Sequence, residues 1–74
     1  MMCEHTTYLK RIRESKGITL QQVAKELNMN PTVLYEIEKG IKSTISIRAQ
    51  QIASYYNQPV DKIFMPSYYK ATFA

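Results

Sequence analysis

Three side chains that can bind a metal ion, Cys3, Glu4 and His5, stand next to one another near the beginning of the sequence. Zinc sites in proteins are closed tetrahedra, and three adjacent residues cannot surround an ion in that way. Cys3 is the only cysteine and His5 the only histidine, so no CxxC pair or second histidine completes a site. We therefore predict no metal site and no cofactor.

Glu36 and Glu38 are the nearest approach to a catalytic pair of carboxylates. Side chains two positions apart on a helix point to different faces, so these two cannot act together as acid and base. The sequence also has no Gly-rich phosphate loop and no nucleophile accompanied by a base. We predict that the protein is not an enzyme and binds no small-molecule ligand.

Composition favours a small intracellular protein with a polyanionic partner. The 74 residues suffice for one small domain, and ten Lys and Arg against six Asp and Glu give a net charge of +4. No apolar run is long enough to span a membrane, and no leader has the order of a signal peptide. A single cysteine fits a reducing compartment. We expect a soluble, cytoplasmic protein with no membrane partner.

The segment from Thr19 to Gly40 has the spacing of a helix-turn-helix. Thr19 can cap a first helix, with Gln22 three residues later as in a capping box. The run 28–30, Asn-Met-Asn, predicts a tight corner, because Asn tolerates the left-handed conformation. Asn30 then caps a second helix, which Pro31 begins and Gly40 ends.

Apolar residues in this segment recur at helical spacing, as two helices that cross closely require. The first helix carries Leu20, Val23, Ala24 and Leu27, the second Val33, Leu34 and Ile37, and Met29 fills the corner. An ordinary helical hairpin that touches no nucleic acid would show the same pattern.

The rest of the chain predicts three further helices. One covers about 7–16, with Leu9 and Ile12 inward, and ends at Gly17. Another covers about 45–56, and a short one follows Pro59. Their predicted core residues are Ile45, Ala49, Ile52, Ala53 and Tyr56, then Val60, Ile63 and Phe64. Pro66 blocks continuation. We predict an all-α five-helix domain over 7–65, a flexible N-terminus over 1–6 and a short tail over 66–74.

The order of these pieces resembles the Cro/C1-type (Xre-like) helix-turn-helix regulators. The resemblance runs through LKRIRESKGIT, LQQVAKELNMN, IEKG and QQIASYYNQPVDKIF, from about Leu9 to Phe64. It implies a five-helix, lambda-repressor-like DNA-binding domain that reads double-stranded DNA in the major groove. It further implies a small transcriptional regulator, in most cases a repressor, that binds a palindromic operator as a homodimer.

The resemblance places the start of the second motif helix in the major groove. The matching base-reading positions are Pro31, Thr32, Val33, Tyr35 and Glu36. Thr32 can bond a base edge or a phosphate, Val33 can contact a thymine methyl group, and Glu36 can only accept, for example from cytosine N4. No Arg or Gln stands where the family often has one, so we expect affinity to depend on phosphate contacts and DNA shape.

Backbone contacts and one internal pair complete the expected site. The expected phosphate contacts are Thr19, Gln21, Lys39, Lys42, Ser43, Thr44 and Arg48. Leu20 departs from the family, which commonly has Gln there, so Gln21 or Thr19 would have to substitute. In similar proteins an Arg of the first helix pairs with the Glu that ends the reading helix, which here implies a structural Arg13–Glu38 pair.

A protein-binding adaptor or antirepressor that keeps the fold without binding DNA is the alternative. The acids and the proline on the reading helix favour it, while the basic residues between Lys39 and Arg48 oppose it.

The aromatic tail MPSYYKATFA is the expected dimer seam, because exposed aromatic residues concentrate at interfaces. A disordered tail, with Tyr55 and Tyr56 filling the core, and a seam on helix five around Val60, Ile63 and Tyr55 remain open. In either case the core is expected to be complete at Phe64, with no core contact from the tail.

Overall fold

The computed structural model describes residues 6–65 and 69–73. In these residues it contains five helices: α1 (Tyr8–Ser15), α2 (Leu20–Glu26), α3 (Pro31–Glu38), α4 (Ser46–Tyr55) and α5 (Val60–Ile63). The predicted all-α, five-helix fold is confirmed. A small antiparallel sheet, which was not predicted, joins β1 (Phe64–Met65) to β2 (Lys70–Ala71). The Cys3-Glu4-His5 cluster and Pro66, Ser67, Tyr68 and Ala74 lie outside the described residues.

Side-chain caps set the first residue of the first three helices. The Thr7 hydroxyl accepts from the Lys10 amide, and the Thr19 hydroxyl accepts from the Gln22 amide at 3.1 Å. The Asn30 side chain accepts from the Thr32 amide at 2.8 Å, directly before Pro31 at the first helical position. Each cap satisfies an amide that the helix leaves unpaired. The predicted N-caps Thr19 and Asn30 are confirmed.

Left-handed residues end the helices and turn the chain sharply. Asn28 and Asn57 both have φ of 57° and Gly40 has 77°. After each, an amide bonds back across the helix end: Met29 to the Ala24 carbonyl at 2.8 Å, Gln58 to Ala53 at 3.0 Å and Ile41 to Glu36 at 3.0 Å. This is the Schellman geometry, which pairs the last carbonyls of a helix. The predicted corner at Asn28 is confirmed.

The core lies where the helices meet, and α2 packs most extensively on α3. Ala24 is fully buried there, as a close crossing of two helices requires. The buried apolar side chains are Leu9, Val23, Ala24, Leu34, Ile37, Ala49, Ile52, Ala53, Tyr56, Ile63, Phe64 and Ala71. Leu20, Leu27, Met29 and Val60 pack partly buried against them.

One predicted core residue is on the surface. Ile45 is 65% exposed, so its assignment to the core stripe of the fourth helix is wrong. The reason is local: Ile45 is the N-cap, with extended backbone at φ −85° and ψ 159°. The helical periodicity that places Ala49 and Ile52 inward therefore does not extend back to it.

The C-terminal segment, residues 69–73, belongs to the core, so the expectation that the core is complete at Phe64 is wrong. Ala71 is buried, and the Thr72 amide donates to the Ile63 carbonyl at 2.8 Å. The Tyr8 amide donates to the Thr72 carbonyl at 2.9 Å, and Thr7 forms a bridge with Phe73. The segment thus ties the start of α1 to the end of α5.

Gly40 lies directly under this segment. A methyl group added there would be 3.2 Å from Cζ of Phe73 and 3.4 Å from the Ala71 carbonyl oxygen, whereas one at Gly17 would meet nothing within 4 Å.

Both Gly17 and Gly40 have positive φ, which costs an L-residue roughly 1–2 kcal/mol. Gly17→Ala should therefore lower the free energy of unfolding by the backbone cost alone. Gly40→Ala should lower it further, because the added methyl group is also too close to the C-terminal segment. Chemical denaturation of both variants measures the difference. Equal decreases in the free energy of unfolding would mean that the C-terminal segment can move away from a methyl group at Gly40 without cost.

Candidate nucleic-acid interface

Helix α3 has one buried and one exposed face. Leu34, Ile37 and Glu38 are buried, while the base-reading candidates Pro31, Thr32, Val33 and Tyr35 are exposed and Glu36 is partly exposed. The division follows from helical periodicity, since residues three and four apart share a face. The structure thus presents all five predicted reading side chains at the surface.

A groove with a volume of about 300 Å³ lies between α3 and the start of α4. Val33 and Glu36 line its α3 side. Four residues from the predicted backbone-contact set also line it: Lys42, Ser43, Thr44 and Arg48. Candidate base-reading and phosphate-binding side chains therefore share one surface.

Two lysines that follow α3 contact side chains of the exposed face. Lys42 Nζ lies 3.8 Å from Glu36 Oε1, and Lys39 Nζ lies 5.6 Å from the centre of the Tyr35 ring. Both contacts are at the surface, where such pairs contribute little to stability. Their main effect is positional, because they hold two positive charges beside the exposed face of α3. Neither contact was predicted from the sequence.

Thr44 offers no donor to a phosphate in this structure. Its amide donates to the Tyr69 carbonyl at 3.1 Å. Its hydroxyl oxygen is buried, and no residue in the described ranges hydrogen-bonds to it. The interface proposed below therefore omits Thr44 and keeps Ser43, which is exposed.

The start of α2 is the second predicted backbone contact. Thr19 is exposed, and its hydroxyl already accepts from the Gln22 amide, which leaves the hydroxyl hydrogen available to a phosphate. Gln21 is exposed in the first turn. Neither residue lines the groove between α3 and α4, so together they form a separate contact point.

Arg13 and Glu38 form an ion pair inside the fold. Arg13 Nε donates to Glu38 Oε2 at 2.7 Å, and Nη2 donates to Oε1 at 3.1 Å. The remaining Nη1 donates to the Ile18 carbonyl at 2.9 Å. The Glu38 side chain is 3% exposed and that of Arg13 14%. The pair therefore connects α1, the α1–α2 link and the last turn of α3.

Two groups at this buried charge pair have raised pKa values. The hydrogen bond to Glu38 raises the pKa of Arg13, so the guanidinium stays charged. Burial, assisted by the negative charge of Glu38, raises the pKa of the Tyr56 phenol well above its usual range. The Thr7 hydroxyl donates to the Glu38 carbonyl oxygen and holds the backbone at the same place. The end of α3 is thus fixed by both side-chain and backbone bonds.

Across residues 6–65 and 69–73, no three His, Cys, Asp or Glu side chains are grouped so that they could hold a metal ion. No helix in those same ranges has the length and apolar character of a membrane span.

Comparison with protein families gives one match. The family model described as Helix-turn-helix matches residues 9–63, which include all of α1 to α5 except the first residue of α1. Neither the curated proteins nor the solved structures contain a match to this chain.

Proposed function

Because the chain belongs to the Cro/C1-type helix-turn-helix family, a family of DNA-binding domains, we propose that it binds double-stranded DNA sequence-specifically and acts as a small transcriptional regulator, most simply a repressor. The observation that supports this is the groove in which the exposed face of α3 meets Lys42, Ser43 and Arg48. Sequence readers and phosphate binders must lie side by side in this way for a helix to enter the major groove.

Base reading is assigned to the exposed face of α3. Thr32 bonds a base edge, Val33 contacts a methyl group and Glu36 accepts from an amino group. Pro31 and Tyr35 contact the walls of the groove. The buried Arg13–Glu38 pair supports this role, because it fixes the angle at which α3 leaves the fold.

Phosphate binding is assigned to two separate points on the surface. One consists of Thr19 and Gln21 with the free amides at the start of α2. The other consists of Lys39, Lys42, Ser43 and Arg48, which follow α3 along the chain. Contacts on both sides of the major groove would position the helix without reading sequence.

We further propose that the protein binds a palindromic operator as a homodimer, since one small domain on one half-site gives little selectivity. Two exposed apolar side chains are candidates for the seam: Phe73 in the C-terminal segment and Ile47 in α4. The alternative seam on helix five included Ile63, which is fully buried and not available.

A protein-binding adaptor remains the second candidate because Glu36, an acid, is 33% exposed on the reading face. A carboxylate there repels phosphates unless a cation offsets it. Lys42 at 3.8 Å supplies that cation, which favours the DNA-binding function.

Salt dependence separates the two functions. Affinity for duplex DNA should fall steeply with salt, and Lys39→Ala and Lys42→Ala should each flatten the log–log slope by about 0.9, as loss of one phosphate contact does. Fluorescence anisotropy with a labelled duplex over a salt series measures the slope. Lys62→Ala, an exposed lysine of α5 outside the groove, is the matched control and should keep the parent slope.

Two results would contradict these assignments. Parental slopes in both lysine variants would remove Lys39 and Lys42 from the phosphate contacts. Complete absence of salt-dependent binding to any duplex would favour the adaptor, since a protein that binds only proteins releases no counterions from DNA.

A further inference from the structure

We propose that the groove between α3 and α4 reads cytosine and binds it more tightly when C5 of the base carries a methyl group. The inference rests on the proposed function, because it specifies which base edge the same site accepts. It comes from the combination of one carboxylate with exposed apolar walls in that groove.

The carboxylate and the apolar walls are adjacent. Val33 and Glu36 are three residues apart on α3, so their side chains are neighbours on one face. Ile45 lines the same groove from the start of α4. Val33 is 37% exposed and Ile45 is 65% exposed, so the fold itself leaves both apolar surfaces uncovered.

This arrangement distinguishes the four bases at their major-groove edges. Glu36 can only accept, so it pairs with the amino group of cytosine N4 or adenine N6 and repels the oxygens of thymine and guanine. Beside its amino group, adenine presents the N7 acceptor, which the apolar walls of Val33 and Ile45 would leave unpaired. Cytosine presents C5 there, an apolar carbon that suits those walls.

A methyl group on C5 extends this apolar contact. Thymine carries the same methyl group, but its O4 would face the Glu36 carboxylate, acceptor against acceptor. Among these bases, 5-methylcytosine alone combines an amino donor with an adjacent methyl group. The groove is therefore complementary to both features of one base.

Lys42 allows the carboxylate to approach DNA. Its ammonium nitrogen lies 3.8 Å from Glu36 Oε1, so the pair carries no net charge. A neutral pair meets far less repulsion from the phosphates than an isolated carboxylate would. Lys42 can therefore contact a phosphate while it offsets the charge of Glu36.

The expected effect of methylation is modest and measurable. Burial of one methyl group corresponds to about a fourfold gain in affinity for each half-site. For a dimer that reads both half-sites, the gain is about 15-fold, because contributions from separate positions add in free energy.

The experiment begins with selection of bound duplexes from two random pools, one made with cytosine and one with 5-methylcytosine. At each position where the selected sites require cytosine, duplexes with cytosine, 5-methylcytosine, thymine or adenine are compared in competition with the full-length protein. At one position in each half-site, we expect the affinity to be highest for 5-methylcytosine and second highest for cytosine. The affinities for thymine and adenine at that position should be much lower.

Three variants assign the effect to the groove. Val33→Ala should lower the ratio of methylated to unmethylated affinity, because Ile45 then remains as the one apolar wall that the proposal assigns to the methyl group. Glu36→Gln should shift the preference towards adenine, because an amide can bond both N6 and N7. Ile41→Ser is the control: Ile41 is an exposed apolar residue that does not line this groove, so its ratio should equal that of the parent.

Each remaining outcome decides against the inference. Equal affinity for methylated and unmethylated sites, or weaker binding of the methylated sites, with salt-dependent specific binding intact, would overturn it and leave the proposed function standing. A methyl preference of unchanged size in Val33→Ala would place the contact elsewhere. Absence of all duplex binding would overturn both proposals.

Discussion

Replacement of Arg13 by alanine is expected to lower the free energy of unfolding by about 3 to 5 kcal/mol. The Glu38 side chain is 3% exposed, and Arg13 donates both of the side-chain hydrogen bonds made to it by residues that the structure describes. Without Arg13 a carboxylate stays buried with no partner, which is far more costly than the absence of the whole pair. A domain of this size has a total stability of about 4 to 11 kcal/mol, so a large part of it would be lost. Urea unfolding followed by circular dichroism measures the change.

A neighbouring arginine provides the control. Arg11 lies on the same helix and is exposed, so Arg11→Ala should change stability by less than about 0.5 kcal/mol. The double variant Arg13→Leu with Glu38→Leu should recover much of the loss, because no charge then remains buried. An Arg13→Ala protein that unfolds with the parent would show that the pair adds nothing to the fold.

Removal of residues 69–74 is expected to lower the free energy of unfolding by about 5 kcal/mol or more. The truncation eliminates four backbone hydrogen bonds outside the sheet, Tyr8 to Thr72, Thr72 to Ile63, Thr44 to Tyr69 and Tyr69 to Met65, at about 1 kcal/mol each. It also removes the buried side chain of Ala71, for about 1 kcal/mol more. Thermal unfolding of the truncated protein, followed by circular dichroism, should show a large decrease in Tm.

The control is Lys70→Ala, which retains the backbone of β2 and shortens a side chain that is partly exposed. Its Tm should stay close to that of the parent. A truncated protein with the parental Tm would mean that the C-terminal segment only rests on a core already complete at Phe64.

Local signals made the helix-turn-helix predictable. Thr19, Asn28, Asn30 and Pro31 act on residues within one turn of themselves, so their roles can be inferred from residue type and spacing alone. The exposed face of α3 follows from the same periodicity that buries Leu34 and Ile37. The order of the helices was accordingly accessible from sequence, and the match over residues 9–63 agrees with it. The base-reading positions stay a prediction.

Non-local contacts were not predictable in the same way. Strands of two residues, such as Lys70–Ala71, are too short to show an alternating pattern, so nothing in the sequence separated this segment from a tail. No local sequence pattern indicates that the Lys42 ammonium group lies near the Glu36 carboxylate, or that the Thr44 amide donates to the Tyr69 carbonyl. The juxtaposition of Arg13 with Glu38 came from the family resemblance, because no spacing rule relates residues on different helices.

The bridge between Thr7 and Phe73 has a consequence for the order of events during protein synthesis. Domains fold as the chain leaves the ribosome, beginning from the N-terminus. A nascent chain that has released only α1 to α5 lacks the strand that covers Gly40 and pairs with β1. The bridge at Thr7, the N-cap residue of α1, can form only after Phe73 has been synthesised. The segment around Gly40, which ends α3, should therefore be covered only after Phe73 has left the ribosome.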